Sequence, residues 1–202
     1  MSPMGNGGLV GSDGEFTEDG IEYFVARARG GVGLITTGIC VVEDEVEGVG
    51  RGLVPCTAFN VPVFIRQAAR LCARVHAYDT KIFLQLTAGG GRINNPMWSM
   101  KGKSMISTSE NPNRWRPDII TRALTTEEVE FLVKRIVISA GMAKAAGFDG
   151  VEEVIDDLTQ RKLIMQVNAR FVHVLHVYQH ATLRLAQVHQ RANIIVGGVN
   201  VG

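Results

Sequence analysis

Residues 81–92 read KIFLQLTAGGGR. Ile82, Leu84 and Leu86 alternate with Phe83, Gln85 and Thr87, and nearly every position is apolar, as in strands covered on both faces. The stretch therefore predicts a buried parallel strand. Gln85 interrupts the apolar run near its C-terminal end, and an amide buried there needs partners for one carbonyl and two N–H donors. Two readings stand: a core amide bonded to backbone, or a ligand presenting both a donor and an acceptor. Gly89, Gly90 and Gly91 then let the backbone turn or approach a neighbour closely, and Arg92 sets a cation beside them.

Working outward, the same logic repeats. Val32 to Val42 is β-branched and mostly apolar, which predicts a second buried strand, and the acidic loop EDEVEG follows it. Between the two strands Asn60 caps a helix that tolerates Pro62 in its first turn, with Phe64, Ile65, Ala68, Leu71, Cys72 and Val75 as its buried stripe. Upstream, Thr17 caps a helix whose Ile21, Phe24, Val25 and Ala28 recur at helical spacing, ending at Gly30-Gly31. The opening MSPMGNGGLVGSDGEF reads as a glycine-rich loop in which Ser2-Pro3-Met4 resembles the C-terminal tip of a strand. Downstream of Arg92, a segment of about 30 residues without periodicity carries Trp98, Trp115 and prolines 96, 112 and 117; stretches that long inside a domain usually fold over a site. Thr125 and Glu128 form a capping box before a helix carrying Val129, Leu132, Ile136, Ala140 and Ala143, which ends at Gly147. FDGVE at residues 148–152 begins a further strand. Strands alternating with helices at this interval indicate βαβ units and a parallel sheet.

Composition bounds the function. At 202 residues with 46% hydrophobic and 20% charged residues, the chain has the make-up of an ordinary globular protein. A formal net charge of +1 offers no general argument for nucleic acid or an anionic membrane. Cys40, Cys56 and Cys72 are odd in number and fit neither a CxxC pair nor a disulfide framework, which favours a reducing cytoplasm. No apolar run approaches the roughly 20 residues of a membrane helix, and the opening residues lack the pattern of a signal peptide.

From about Glu153 the character changes. His173, His176, His180 and His189 lie here, and five basic residues follow Asp157 with no acid. With +1 overall, that leaves −4 for residues 1–157. Solvated charge is the plainer reading of this tail, since no nucleic-acid-binding motif accompanies it. His173 and His176 share a helix face with His180, without the cysteine or acid that would complete a metal site.

SPMGN at the start, GLITTG on one strand, FLQLTAGGGR on the next and AGFDGVE on another come in one order at βα spacing. This set resembles the old yellow enzyme family, in its bacterial NADH:flavin oxidoreductase and 2,4-dienoyl-CoA reductase branch, over residues 1–152. The resemblance implies a (β/α)8 TIM barrel holding FMN at the C-terminal ends of its strands. It implies cofactor contacts at Pro3, Met4 and Gly5 along the flavin, at the backbone of Gly38 and Ile39, and at Gln85 on the pyrimidine edge. Arg92 matches the arginine that closes the following loop, where surface and site readings both stay open. Cys40 reads as a small buried residue, and Trp98 and Trp115 as loop packing. The implied reaction is NADH or NADPH reducing the flavin, which then passes hydride to an activated alkene such as an enoate or enoyl thioester.

The sequence also departs from that family. After FDGVE, relatives carry a His-x-x-His or His-x-x-Asn pair and a Gly-Tyr-Leu segment with a proton-donating tyrosine; here Glu153-Val154-Ile155-Asp156-Asp157 follow. A complete barrel takes about 250 residues. The expectation is thus a partial barrel of about the first four βα units over 1–152 and an atypical, helical tail over 153–202 foreign to the fold, a truncated or frame-disrupted copy. No catalytic residue or metal ligand is assigned. The alternative function is an inactive flavin-binding or structural fragment. Unpaired parallel edges would favour association, so a homo-oligomer is expected, with no nucleic-acid or membrane partner.

Overall fold

The computed structural model describes residues 1–5, 7–96 and 103–154. Of the tail expected over 153–202 to be helical and foreign to the fold, residues 155–202 with their four histidines lie outside the described residues, as does Trp98.

Three helices form where caps and apolar stripes coincide. Helix α1 (Glu18–Arg29) starts at Thr17, whose hydroxyl accepts the Gly20 N–H at 3.2 Å, with Glu18 and Asp19 complementing the helix dipole. Strand β1 (Leu34–Val41) leads to α2 (Val61–His76), capped by the Asn60 side chain, whose Oδ1 accepts the Val63 N–H at 3.4 Å. Strand β2 (Lys81–Thr87) is the strand read from the opening stretch. Two short strands, β3 (Ile106–Ser107) and β4 (Arg122–Ala123), precede α3 (Thr126–Ala146), which begins with the expected capping box and ends at a left-handed Gly147. Strand β5 (Gly150–Val154) follows.

β1, β2 and β5 form one parallel sheet in that order. Residues on one face of the sheet, Ile35 and Cys40 on β1, Ile82, Leu84 and Leu86 on β2 and Val151 on β5, join a single core with α1, α2 and α3. All three helices therefore cover the same face, as in a barrel wall rather than a doubly wound sheet. Phe16, Phe24 and Phe64 fill the space beneath α1 and α2, with Phe16 edge-on to Phe24 at 6.1 Å. Alternation sends Thr36, Phe83, Gln85, Thr87 and Glu152 to the opposite face. Gly150 leaves room there for the ring of Phe83, its register partner, to which a Cβ would come within 2.9 Å.

The opening residues belong to the sheet region rather than to a free loop. The Met1 amino group donates to the Leu34 carbonyl at 2.5 Å, and the Thr36 N–H donates back to the Met1 carbonyl at 3.1 Å, so the chain runs beside β1.

At the amino ends of the strands, Asp149 ties two elements together. Its carboxylate accepts from the Ile82 N–H at 2.9 Å and meets His76 Nε2 at 2.7 Å and Lys81 Nζ at 3.0 Å. Burial pushes this carboxyl up, but the bonds from Ile82, His76 and Lys81 together outweigh it and hold the group below the usual range. A depressed folded-state pKa contributes stability that is present above the ordinary carboxylate range and disappears as pH falls through the folded value. Asp149→Asn is expected to lower the urea unfolding free energy by about 1–2 kcal/mol at pH 7, with the gap to the native sequence closing in acid.

Candidate functional site

The carboxyl ends of β1 and β2 are where the chain brings its unusual residues together. The β1–β2 ladder shifts register between Thr36, opposite Phe83, and Ile39, opposite Gln85, so Thr37 and Gly38 together face Leu84. This bulge has two effects. The Thr37 hydroxyl accepts the Gln85 N–H at 3.0 Å in place of a ladder carbonyl. Gly38 comes so close to the opening segment that a Cβ would lie 2.1 Å from the Met4 carbonyl oxygen and 3.1 Å from Gly5 Cα. Met4 and Gly5 are therefore fixed against β1 while remaining exposed, with open space where a Gly5 side chain would stand.

Gln85 is 6% exposed and lies in register between Ile39 on one side and Glu152 on the other. The structure thus places Pro3 to Gly5, Gly38, Ile39 and Gln85 on adjoining chains at one end of the sheet. Arg92 is different. It lies in a short 3-10 turn (Gly91–Ile93) with an exposed side chain, and its fixed contacts are made by its carbonyl, which accepts from Asn113 Nδ2 at 3.0 Å and the Arg114 N–H at 2.8 Å.

Glu152 escaped the sequence reading although FDGVE was recognised. It is 3% exposed, lies in register with Gln85, and shares the helix-free face of the sheet with Gln85 and Thr36. Burial raises its pKa, and the polar side chains of Gln85 and Thr36 oppose that shift. The one signal in the sequence was an acid within an apolar strand run.

The acidic loop after β1 is also more than solvated charge. Glu43 is buried, and its two oxygens accept the N–H groups of Glu45, Val46, Glu47 and Gly48 at 2.5, 2.6, 3.1 and 3.3 Å. Glu47, also buried, accepts from the Gly90 N–H at 3.2 Å and the Ile106 N–H at 3.1 Å, and its carboxyl is pushed up by burial. A Cβ on Gly89 would come within 2.9 Å of Glu47 Oε2. Gly89 thus approaches this carboxylate, while a Cβ on Gly90 would lie 2.5 Å from Asn94 Cβ.

One buried amide ties residues 92–94 to residues 113–116. Asn113 donates to the Arg92 and Asn94 carbonyls, while its Oδ1 accepts the N–H groups of Trp115 and Arg116 at 2.9 and 3.0 Å. Trp115 lies outside this knot, 64% exposed, with its indole N–H on the Ile93 carbonyl. Cys40, Cys56 and Cys72 are all buried; burial raises the thiol pKa values, to about 11 for Cys56 and about 12 for Cys72, so these are inert side chains. Among the described residues no cluster of His, Cys, Asp or Glu suits a metal ion, and no helix is long and apolar enough to cross a membrane.

A model of the NADH:flavin oxidoreductase / NADH oxidase family matches residues 1–156. The chain belongs to this family. It is 47% identical over 152 residues to a cinnamate reductase of Clostridium sporogenes, covering 75% of this chain and 23% of that protein. A NADH oxidase of Thermoanaerobacter brockii is 31% identical over 152 residues, 75% of this chain and 22% of the relative. The chain thus spans only a minor part of the length of these curated relatives. The structure of histamine dehydrogenase from Rhizobium sp. 4-9 superposes with a TM-score of 0.58 at 20% identity, over 76% of this chain and 21% of that one. With the one-sided placement of helices, this likeness makes the fold a partial (β/α)8 barrel of the family.

Gly38→Ala is expected to displace residues 1–5, seen as faster hydrogen exchange at Thr36, whose N–H bonds the Met1 carbonyl. Glu47→Ala leaves a buried N–H at Ile106 and a half-buried one at Gly90 unpaired. It is expected to cost about 2–4 kcal/mol, read as a lower urea midpoint with selective loss of protection at Gly90 and Ile106.

Proposed function

We propose that this chain supplies the flavin-facing wall of an FMN-dependent NAD(P)H oxidoreductase of the ene-reductase type. The observation that carries the reading is Gln85: a buried amide on the helix-free face of the sheet, beside a glycine that lets Met4 and Gly5 close in. A flavin's pyrimidine edge alternates acceptors with an N–H donor, and an amide offers the matching pair. The donor set therefore fits the ring system of FMN.

In this assignment Gln85 orients the ring by its pyrimidine edge. Pro3, Met4 and Gly5 lie along it, their backbone held by Gly38, and Ile39 adds the end of β1. Arg92 caps the loop from the exposed side. Bound there, FMN supplies hydride transfer from NADH or NADPH to an activated alkene. The remaining task of these residues is to hold geometry and keep water from the face that Phe83 and Ile39 line.

The likeness to a cinnamate reductase supports a conjugated carboxylate as the alkene substrate. Three free, buried cysteines accord with a reducing cytoplasm. Purified protein is expected to take up FMN, show flavin absorbance and bleach with NADH. Gln85→Leu should weaken FMN binding by about tenfold, the worth of one well-placed hydrogen bond. Colourless protein that ignores added FMN would sink the proposal and leave a structural fragment.

A further inference from the structure

Gln85 presents a problem of orientation. Its amide has nearly the same shape after a half-turn that exchanges Oε1 and Nε2, yet only one orientation offers a given ligand edge the correct pattern. Its backbone N–H is already committed to Thr37. What decides the side chain is its register partner on β5, because Glu152 is buried beside it on the same face of the sheet, where Gln85 and Thr36 favour the charged form of its carboxylate. A carboxylate only accepts. The amide must therefore turn an N–H toward Glu152, since the flipped form would set Oε1 against a second acceptor.

We propose that Glu152 is a positioning residue that locks the Gln85 amide in one orientation, so that Oε1 and the remaining N–H are left together to meet the pyrimidine edge of a flavin. This rests on the flavin reading of Gln85 given above. An amide carries one N–H on the same side as its oxygen and one on the opposite side. Spending the opposite one on Glu152 leaves an adjacent acceptor and donor, the pair a bidentate contact requires. Thr36, on the same face of β1, offers that carboxylate a second donor. Protonated Glu152 would gain a donor of its own and release the lock. Burial moves that protonation upward from the ordinary carboxylate range.

The pairing is tested without flavin by following the Gln85 side-chain amide resonances in the full chain as pH is lowered, with Gln85→Ala to assign them. They are expected to titrate with Glu152 and to become insensitive to pH in Glu152→Gln, whose amide accepts either orientation. A pH-independent Gln85 amide in the unsubstituted chain overturns the proposal, and this measurement needs no variant of Glu152 to fold. The consequence is tested with riboflavin, which lacks a titrating phosphate. Affinity should fall as Glu152 takes up its proton, and Glu152→Gln should bind about fivefold to tenfold more weakly at neutral pH with a flat profile. Equal affinity and equal profiles in the two proteins overturn the positioning role. Unchanged riboflavin affinity in Gln85→Ala would refute the flavin reading itself, and with it any flavin-directed role for Glu152. The flavin-free titration would still report whether the two side chains are paired.

Discussion

The bulged parallel ladder between β1 and β2 is the constraint on which the site depends. One extra residue in β1 turns the Thr37 hydroxyl to the Gln85 N–H and brings Gly38 under the Met4 carbonyl. A regular ladder would give Gln85 an ordinary backbone acceptor and leave the opening segment farther from the strand. Because the side-chain period is two, the same register also decides that Gln85 and Glu152 share the face away from the helices. Geometry at the strand ends follows from a local backbone irregularity rather than from any one side chain.

The two ends of the sheet are built differently. At the amino ends Asp149 joins α2 to β2 with a carboxylate bonded to backbone and to two basic side chains, an arrangement that serves stability. At the carboxyl ends the buried acids Glu43 and Glu47 bond backbone N–H groups almost exclusively, stiffening the loops after β1 and β2 and fastening one to the other. This division matches that of (β/α)8 enzymes, where chemistry sits at the carboxyl face.

Most of the wall was legible in the chain. Caps at Thr17, Asn60 and Thr125 and the apolar stripes behind them are local signals, and each marks a helix start where it was expected. Ile65 and Val129, read as buried, are only partly so, because a stripe gives a direction and not a depth. Gln85 stood out as a polar residue in an apolar strand. Glu152, Glu43 and Glu47 did not, since their burial depends on register and loop contacts that no local pattern encodes. Strands as short as β3 and β4 are too brief to show a period, so the segment around Asn113 read as irregular.

The loop that Glu43 closes has a further consequence. Successive backbone N–H groups converging on one point make a concavity suited to anions, and phosphates are commonly gripped that way. Here four such groups already surround a carboxylate from the same loop. The concavity carries its own internal counter-ion and has no capacity left for an external one. The turn after β1 is therefore no anion grip; its dipoles are spent on holding the chain to itself.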